Sequence, residues 1–325
     1  MSADVTRGIY AKKVKNVKSV KEYVDRLAQI DPFDEFCQIE KIVNEGKSVD
    51  WEKKGNKQGS RCLDANRAKL EDSNVYYNAT ELNADCCLAK IPSFENVPEM
   101  KAFWGLVAEK FLIVHLVMAE DEVKNLRQFF KQVPDTIKGP ESHLRVDGTM
   151  VNTKSITVHD ENITYYKIEL LPEGCSNSSF ANVYVHKPWN PSHAQSNLVS
   201  MWKSALMVIE PSLNKSETTS SMMLASARGS GRNCTLLALV QAMKSLIDGT
   251  APNLKQIVTQ MRQARPGAVE TWQQYVSVYL AVNSYLMTQT PLESAEANQE
   301  MFRKMANFGD RMLMGARDMV AKGKW

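Results

Sequence analysis

The sequence contains no run of 18 or more apolar residues, and its first residues form no apolar core of the signal-peptide type. We therefore expect no membrane insertion and a cytoplasmic location, with the nucleus as the alternative. An excess of either charge is also missing, because 40 basic residues face 37 acidic ones for a net charge of +3. This balance excludes a general attraction to nucleic acid. We interpret the basic stretch at residues 10–18 as a solvated helix face, with an acidic membrane or nucleic acid as the alternative.

The cysteines and histidines, the usual zinc ligands, lack the spacing of a metal site. Neither the six cysteines nor the five histidines are arranged in the short pairs that zinc sites use. We predict reduced thiols, with the adjacent Cys86 and Cys87 packed in a strand, and no metal or other cofactor. The histidines concerned are His115, His143, His159, His186 and His193.

One segment has the pattern of an anion-binding loop. The apolar residues Met222 to Leu224 predict a buried strand, and the apolar pattern from Thr235 to Ile247 predicts a helix. Between them lies a glycine-rich turn, which lets backbone N–H groups converge at the start of the helix. The predicted phosphate-binding residues are Ser226, Ala227, Arg228, Gly229, Ser230, Gly231 and Arg232.

This loop resembles the signature of classical protein tyrosine phosphatases. In that family His-Cys precedes two variable residues, a glycine, a variable residue and Gly-Arg, and Gly229, Gly231 and Arg232 match this pattern. Other segments resemble the family in the same order along the chain, from about residue 65 to residue 286. They are Asn66-Arg67 with the strand Tyr76 to Thr80, then Phe103-Trp104, and later Arg262 to Gln274.

The resemblance implies an α/β fold, in which helices flank a central twisted mixed sheet. We predict helices before this core and one extra helix after it. The predicted boundaries are an N-terminal helical lid at residues 1–45, a phosphatase-like domain at 46–289, and an amphipathic, methionine-rich C-terminal helix at 290–325.

Four residues depart from what phosphatase chemistry needs. Ser226 stands where the family has its cysteine thiolate, and the chain contains no Cys-x5-Arg sequence. Asn190, in the segment that resembles the Trp-Pro-Asp loop, cannot donate a proton as an aspartic acid does. Glu270 replaces a glutamine that positions water, and Ala68 replaces a tyrosine that stacks on the substrate ring. Gln274 still matches a supporting glutamine. We therefore expect a catalytically inactive family member, a pseudophosphatase.

Three hypotheses about function remain open. The protein binds a protein partner, which is possibly tyrosine-phosphorylated, through the loop and so regulates or sequesters it. Alternatively it is a phosphate-independent scaffold or regulatory subunit, in which Arg232 pairs with a carboxylate such as Glu270. A residual phosphatase needs a base that activates Ser226, and none is evident in the sequence.

The remaining patterns predict the organisation around this loop. Apolar spacing from Val20 to Val43 predicts two helices broken near Asp31-Pro32. Short β-patterned runs predict antiparallel strands. These runs are Ser155 to Val158, Tyr165 to Leu171 and Val183 to Val185. We further predict a loop at 47–60, helices at 193–209 and 252–265, and a polar connection at 212–221.

The C-terminal helix carries methionines at helical spacing, interleaved with basic residues. The simpler interpretation is that this helix docks on its own domain. The alternative is association with a partner or a second copy, because methionine surfaces adapt to different ligands.

Overall fold

The computed structural model describes residues 14, 16–42, 44, 46–54, 59–70, 75–129, 144–190, 197–213, 221–289 and 294–321. Most of the basic stretch at 10–18 and of the connection at 212–221 lies outside these residues, as do His143 and His193.

The strands are β1 (Ala79–Asn83), β2 (Cys86–Lys90), β3 (Ile113–Val117), β4 (Leu144–Val146), β5 (Thr149–Asp160), β6 (Ile163–Leu171), β7 (Ser179–His186) and β8 (Met222–Ser226). Within the described ranges these eight strands form one sheet in the order β1-β2-β8-β3-β7-β6-β5-β4. The central strands β2, β8, β3 and β7 are parallel, and the outer strands join them antiparallel. This mixed sheet confirms the predicted fold class, and β5, β6 and β7 contain the three predicted short strands.

The helices are α1 (Val17–Leu27), α2 (Pro32–Glu40), α3 (Val49–Lys53), α4 (Val97–Glu109), α5 (Glu120–Val123), α6 (Leu126–Phe129), α7 (Leu198–Leu213), α8 (Arg232–Asp248), α9 (Leu254–Ala264), α10 (Trp272–Gln289) and α11 (Ala295–Ala321), with a 3-10 turn at Asp64–Asn66. Of the helices that the structure describes, none is long and apolar enough to cross a membrane.

The central strand β8 is buried on both faces, as expected of a parallel strand between helical layers. Leu224 packs in the apolar layer that contains α8 and α10. Its neighbours Met223 and Ala225 face the other layer, which contains α4. All three side chains are fully buried. The apolar run in the sequence therefore places β8 and the loop that follows it at the centre of the domain.

The predicted break between the N-terminal helices is confirmed, since α1 ends at Leu27 and α2 begins at Pro32. The Asp31 carboxylate accepts hydrogen bonds from the backbone N–H groups of Phe33 and Asp34, at 2.9 and 3.2 Å. Proline suits the first helical position because its missing N–H would have no helical partner there. Local sequence thus determines where α2 starts.

Two expectations about loops are wrong. The stretch predicted as a loop at 47–60 contains α3, because the Asp64 carboxylate accepts hydrogen bonds from the N–H groups of Val49 and Asp50 at 2.8 and 3.1 Å. This cap comes from a later segment and is invisible in the local pattern. The helix predicted at 193–209 begins at Leu198 and continues to residue 213. Ser212, predicted as connection, continues the helix because a polar residue alone is no helix stop.

Helix α11 docks on its own domain through its first half. Met301, Met305 and Phe308 are buried, and Lys304 forms an ion pair with Asp25 of α1 at 2.6 Å. Further along the helix Leu313 and Met314 are 63% and 66% exposed. The structure therefore shows the first half of α11 docked on its own domain, and apolar side chains exposed further along the helix.

Candidate functional site

The anion-loop segment lies between β8 and α8, as its sequence predicts. Gly229 has a φ of +79°, which disfavours any residue with a side chain. A Cβ atom there would lie 2.8 Å from the backbone N of Lys90 and 2.5 Å from Nη2 of Arg265. The turn is therefore pressed against the end of β2, and only glycine fits at this position.

Arg232 opens α8 and is only 5% exposed. Its Nη2 and Nη1 atoms donate to the two carboxylate oxygens of Glu122 at 2.6 and 2.8 Å, and Nη1 also donates to the Trp189 carbonyl at 3.3 Å. Arg232 is thus paired with a carboxylate, as the phosphate-independent hypothesis expects, but the carboxylate belongs to Glu122 and not to Glu270. Glu122 reaches Arg232 because α5 follows β3, which lies parallel and next to β8, so both strands end at the same edge of the sheet.

The Glu122 pair fixes Arg232 without using all of its donors. A guanidinium group has five N–H donors in a planar fork. In the described part of the chain, Glu122 and the Trp189 carbonyl are the acceptors of Arg232, and its Nε–H has none. Glu122 also accepts from the backbone N–H of Ala119 at 2.8 Å, which holds the carboxylate in place. Arg232 is thus held in one orientation by a carboxylate and a backbone carbonyl.

Ser226 ends β8 and is 1% exposed. Its hydroxyl donates to Oδ1 of Asn233 at 2.9 Å. The amide nitrogen of Asn233 donates in turn to the carbonyls of Leu224 and Ala89, at 3.1 and 3.3 Å. Since an amide oxygen is no general base, this network gives Ser226 a fixed orientation and no route for its proton. Asn233 is a site residue that the sequence pattern did not predict, although its position directly after Arg232 was a signal.

Glu270 lies over the loop. Val269, just before it, has a φ of +57°, unusual for a β-branched residue. Its N–H donates to the Ser230 carbonyl at 2.8 Å, and its carbonyl accepts from Nη2 of Arg262 at 2.7 Å. These two hydrogen bonds hold the turn that brings Glu270 to the loop.

The Glu270 carboxylate contacts the loop through several donors. Ser230 Oγ donates to its Oε1 at 2.6 Å, Ser60 Oγ donates to the same atom at 3.4 Å, and Nε of Arg228 lies 3.4 Å from it. A Cβ atom on Gly231 would be 2.8 Å from its Oε2. The carboxylate therefore occupies the space directly over the glycine turn.

Gln274 supports this arrangement. It is 1% exposed, and its side-chain Oε1 accepts from the backbone N–H of Glu270 at 2.9 Å. Its Nε2 lies near Gly231, where a Cβ would meet it at 2.9 Å. Gln274 thus positions the Glu270 backbone against the loop.

Arg265 lies beneath the loop and is fully buried. Its Nε donates to the Gly229 carbonyl at 3.0 Å and its Nη1 to the Thr80 hydroxyl at 2.8 Å. Among the described residues, its Nη2 has no hydrogen-bond acceptor. Beyond the family resemblance no role is predicted for this arginine, yet it places a positive charge under the turn.

The two remaining candidate positions add no reactive group. Ala68 is buried, and its N–H donates to the Ala79 carbonyl at 2.9 Å, so it packs in the core beside the sheet. Asn190 is exposed and follows Trp189, whose carbonyl contacts Arg232. Residues 191–196, which complete this segment, are outside the described ranges.

One cysteine, the buried Cys234, lies two residues after Arg232 in α8. Within the ranges described above, no group of three or more His, Cys, Asp or Glu side chains is placed to hold a metal ion. Cys86 and Cys87 are both buried in β2. Nδ1 of His115 lies 3.0 Å from Nε2 of His186. Burial lowers the pKa of His186 to about 3 and the pKa of His115 well below its ordinary value.

Comparison with curated proteins finds two relatives in Caenorhabditis elegans that are named as tyrosine-protein phosphatases. B0280.11 is 28% identical over 295 residues, which are 83% of this chain and 64% of that protein. C15H7.3 is 25% identical over 229 residues, which are 70% of this chain and 52% of that protein. The chain thus spans between about half and two thirds of the length of these relatives.

Comparison with solved structures finds the same fold. The catalytic domain of human protein tyrosine phosphatase non-receptor type 18 matches with a TM-score of 0.63 at 18% identity, over 81% of this chain and 98% of that domain. A second structure, described as the basis of the PTPN18 fingerprint on distinct HER2 tyrosine phosphorylation sites, gives a TM-score of 0.62 at 18% identity with the same coverage, 81% and 98%.

The sequence pattern of one family matches most of the chain. This family is described as Protein-tyrosine phosphatase, and the match extends over residues 52–284. It includes the loop, the segment that carries Glu122 and the turn that carries Glu270. The chain therefore belongs to the protein-tyrosine phosphatase family.

Proposed function

We propose that this protein is a catalytically inactive member of its family, which binds a protein partner and so regulates or sequesters it. The observation that carries this proposal is the buried Ser226 hydroxyl donating to the Asn233 amide at 2.9 Å. A serine needs a base to become a nucleophile, and this one has an amide oxygen as its acceptor. The family's thiolate ionises without such help.

The other groups support the same proposal. Asn190 offers an amide where a proton donor is needed. Glu270 offers a carboxylate where the family has a water-positioning glutamine, and its negative charge repels both the phosphate ester and an attacking hydroxide. A fold that keeps its core while three chemical roles are lost is suited to binding.

Two classes of protein partner fit this site. A tyrosine-phosphorylated segment is suggested by the residues of the loop that match the family, Gly229, Gly231 and Arg232. The fold neighbour PTPN18 is described with HER2 tyrosine phosphorylation sites. A phosphate-independent partner is favoured by the Glu270 carboxylate, which already contacts Ser230 and Arg228.

A turnover assay tests the proposal. Phosphate release from phosphotyrosyl peptides is measured at high protein concentration for the wild type and for Ser226→Ala. We expect equal, background release from both. Release by the wild type that disappears in Ser226→Ala would refute catalytic inactivity and support a residual phosphatase.

Calorimetry tests the binding role. The wild type and Arg232→Met are titrated with a pool of phosphotyrosyl peptides and with the matching unphosphorylated pool. Heat that depends on the phosphate and disappears in the variant identifies a phosphotyrosine reader. Equal heats from both pools identify a phosphate-independent partner, and no binding of any peptide or candidate partner protein would contradict the binding role.

A further inference from the structure

Glu270 is the charged residue that decides what the loop accepts. We propose that its carboxylate takes the place of a phosphate group in this loop, and that it makes the protein select against dianionic phosphate esters. This inference rests on the proposed non-catalytic function and assigns a specificity-determining residue to the same site.

The first argument is the position of the carboxylate. Its Oε1 accepts from Ser230 at 2.6 Å and its Oε2 lies over Gly231. A ligand that binds to converging N–H groups of a glycine turn must come close to those same two residues. The Glu270 side chain is 19% exposed, so it is an enclosed part of the loop surface and is largely withdrawn from solvent.

The second argument is that Glu270 is held from several sides. Gln274 fixes its backbone N–H at 2.9 Å, and Val269 before it is fixed to the Ser230 carbonyl at 2.8 Å. Ser60 and Arg228 contact its carboxylate at 3.4 Å. A phosphate group that displaced this side chain would have to break the contacts of its carboxylate with Ser60, Ser230 and Arg228 before forming its own.

The third argument is the charge balance around the loop. Arg232 is already neutralised by Glu122 at 2.6 Å, and Arg228 faces Glu270 at 3.4 Å. The buried Arg265 supplies the remaining positive charge from below. A phosphotyrosine brings nearly two negative charges at neutral pH. Beside an unmoved Glu270 it would add like charge to a pocket in which Arg232 and Arg228 already face carboxylates.

The test is a comparison of charge variants. Binding of phenyl phosphate and of one phosphotyrosyl peptide is measured by calorimetry at low salt for the wild type, Glu270→Gln and Glu173→Gln. The last is the matched control, because it makes the same change in net charge at an exposed turn residue. Thermal unfolding of each variant confirms that it is folded.

We expect Glu270→Gln to bind phenyl phosphate at least about 30-fold more tightly than the wild type. This lower bound is the repulsion between the carboxylate and a single negative charge roughly 5 Å away, at an effective dielectric constant near 30. Glu173→Gln should stay within about twofold of the wild type, since surface charges are screened. Addition of phenyl phosphate to ¹⁵N-labelled Glu270→Gln should shift the amide signals of Gly229, Ser230 and Gly231.

Three results would overturn the inference. Equal binding by the wild type and Glu270→Gln would show that the carboxylate does not exclude phosphate. Absence of binding in both proteins would show that the loop lacks anion affinity with or without this charge. A gain in affinity without shifts at the loop amides would place the anion elsewhere. All three leave catalytic inactivity untouched, because that fails only if the wild type releases phosphate in the turnover assay.

Discussion

Replacing Gly229 by alanine should destabilise the protein far more than replacing Gly174. Both glycines have left-handed backbone conformations, with φ of +79° and +77°. A Cβ on Gly174 would meet nothing within 4 Å, whereas one on Gly229 would lie 2.8 Å from Lys90 N and 3.0 Å from the Ala89 carbonyl carbon. Comparing the two alanine variants therefore separates the cost of the left-handed backbone conformation from the cost of the steric clash.

The magnitudes follow from these distances. A left-handed conformation costs alanine about 1 to 2 kcal/mol, less roughly 0.5 kcal/mol because alanine also restricts the unfolded chain. We expect a loss of about 1 kcal/mol for Gly174→Ala. At Gly229 the clash with the backbone of a central strand adds about 1 to 3 kcal/mol, as in overpacked cores. The expected loss there is roughly 2 to 4 kcal/mol.

The assay is urea-induced unfolding followed by circular dichroism, with the free energy of unfolding compared at equal m-values. The two variants should differ by about 2 kcal/mol in their loss of stability. Equal losses would refute the reasoning, because they would mean that the turn is not pressed against β2. A larger loss for Gly174→Ala would do the same.

Three further changes have defined outcomes in urea unfolding. Phe308→Ala should lower the free energy of unfolding by about 3 kcal/mol because that ring is fully buried, whereas Leu313→Ala should lower it by under about 0.5 kcal/mol because Leu313 is exposed. Similar losses in the two variants would contradict the docking of α11. Glu122→Gln should lower the free energy of unfolding by about 2 kcal/mol, because it leaves Arg232 without its counter-ion. Glu120→Gln, at a neighbouring exposed position, should leave the stability nearly unchanged. Equal effects of the two changes would argue against the ion pair. Burial holds the pKa of His186 at about 3 when folded, against 6.5. As the pH falls below 6.5, the unfolded chain binds a proton at this side chain and the folded protein does not. The free energy of unfolding should therefore decrease by about 1.4 kcal/mol between pH 7.5 and 5.5 on account of His186. An unchanged pH dependence in His186→Gln would rule this out.

Local signals in the sequence predict much of the fold. The carboxylate of Asp31 and the ring of Pro32 mark the start of α2, and the apolar run before Ser226 marks the central strand. The resemblance to the family adds the order of the loops. The partner of Arg232 could not be predicted in this way, because Glu122 is 110 residues distant and becomes a neighbour only through the parallel pairing of β3 and β8.

Two residues that match the family's phosphate-binding loop, Gly229 and Arg232, are also needed by the fold. Gly229 is required by its packing against Lys90 and Arg265, whatever the loop binds. Arg232 is held by Glu122 and by the Trp189 carbonyl, so it too has a structural role. The presence of this glycine and this arginine is therefore explained by the fold alone and is weak evidence for phosphate binding.

Ser226 and Glu270 are more informative, because the fold does not demand their chemistry. A thiol at position 226 and an amide at position 270 would have nearly the same size as the residues present, so packing does not choose between them. What the two residues change is reactivity and charge at the loop, with Ser230 only 2.6 Å from the Glu270 carboxylate. The function of this protein is consequently best inferred from these two of the four positions where it departs from the family, and the Glu270→Gln variant measures directly how much one of them matters.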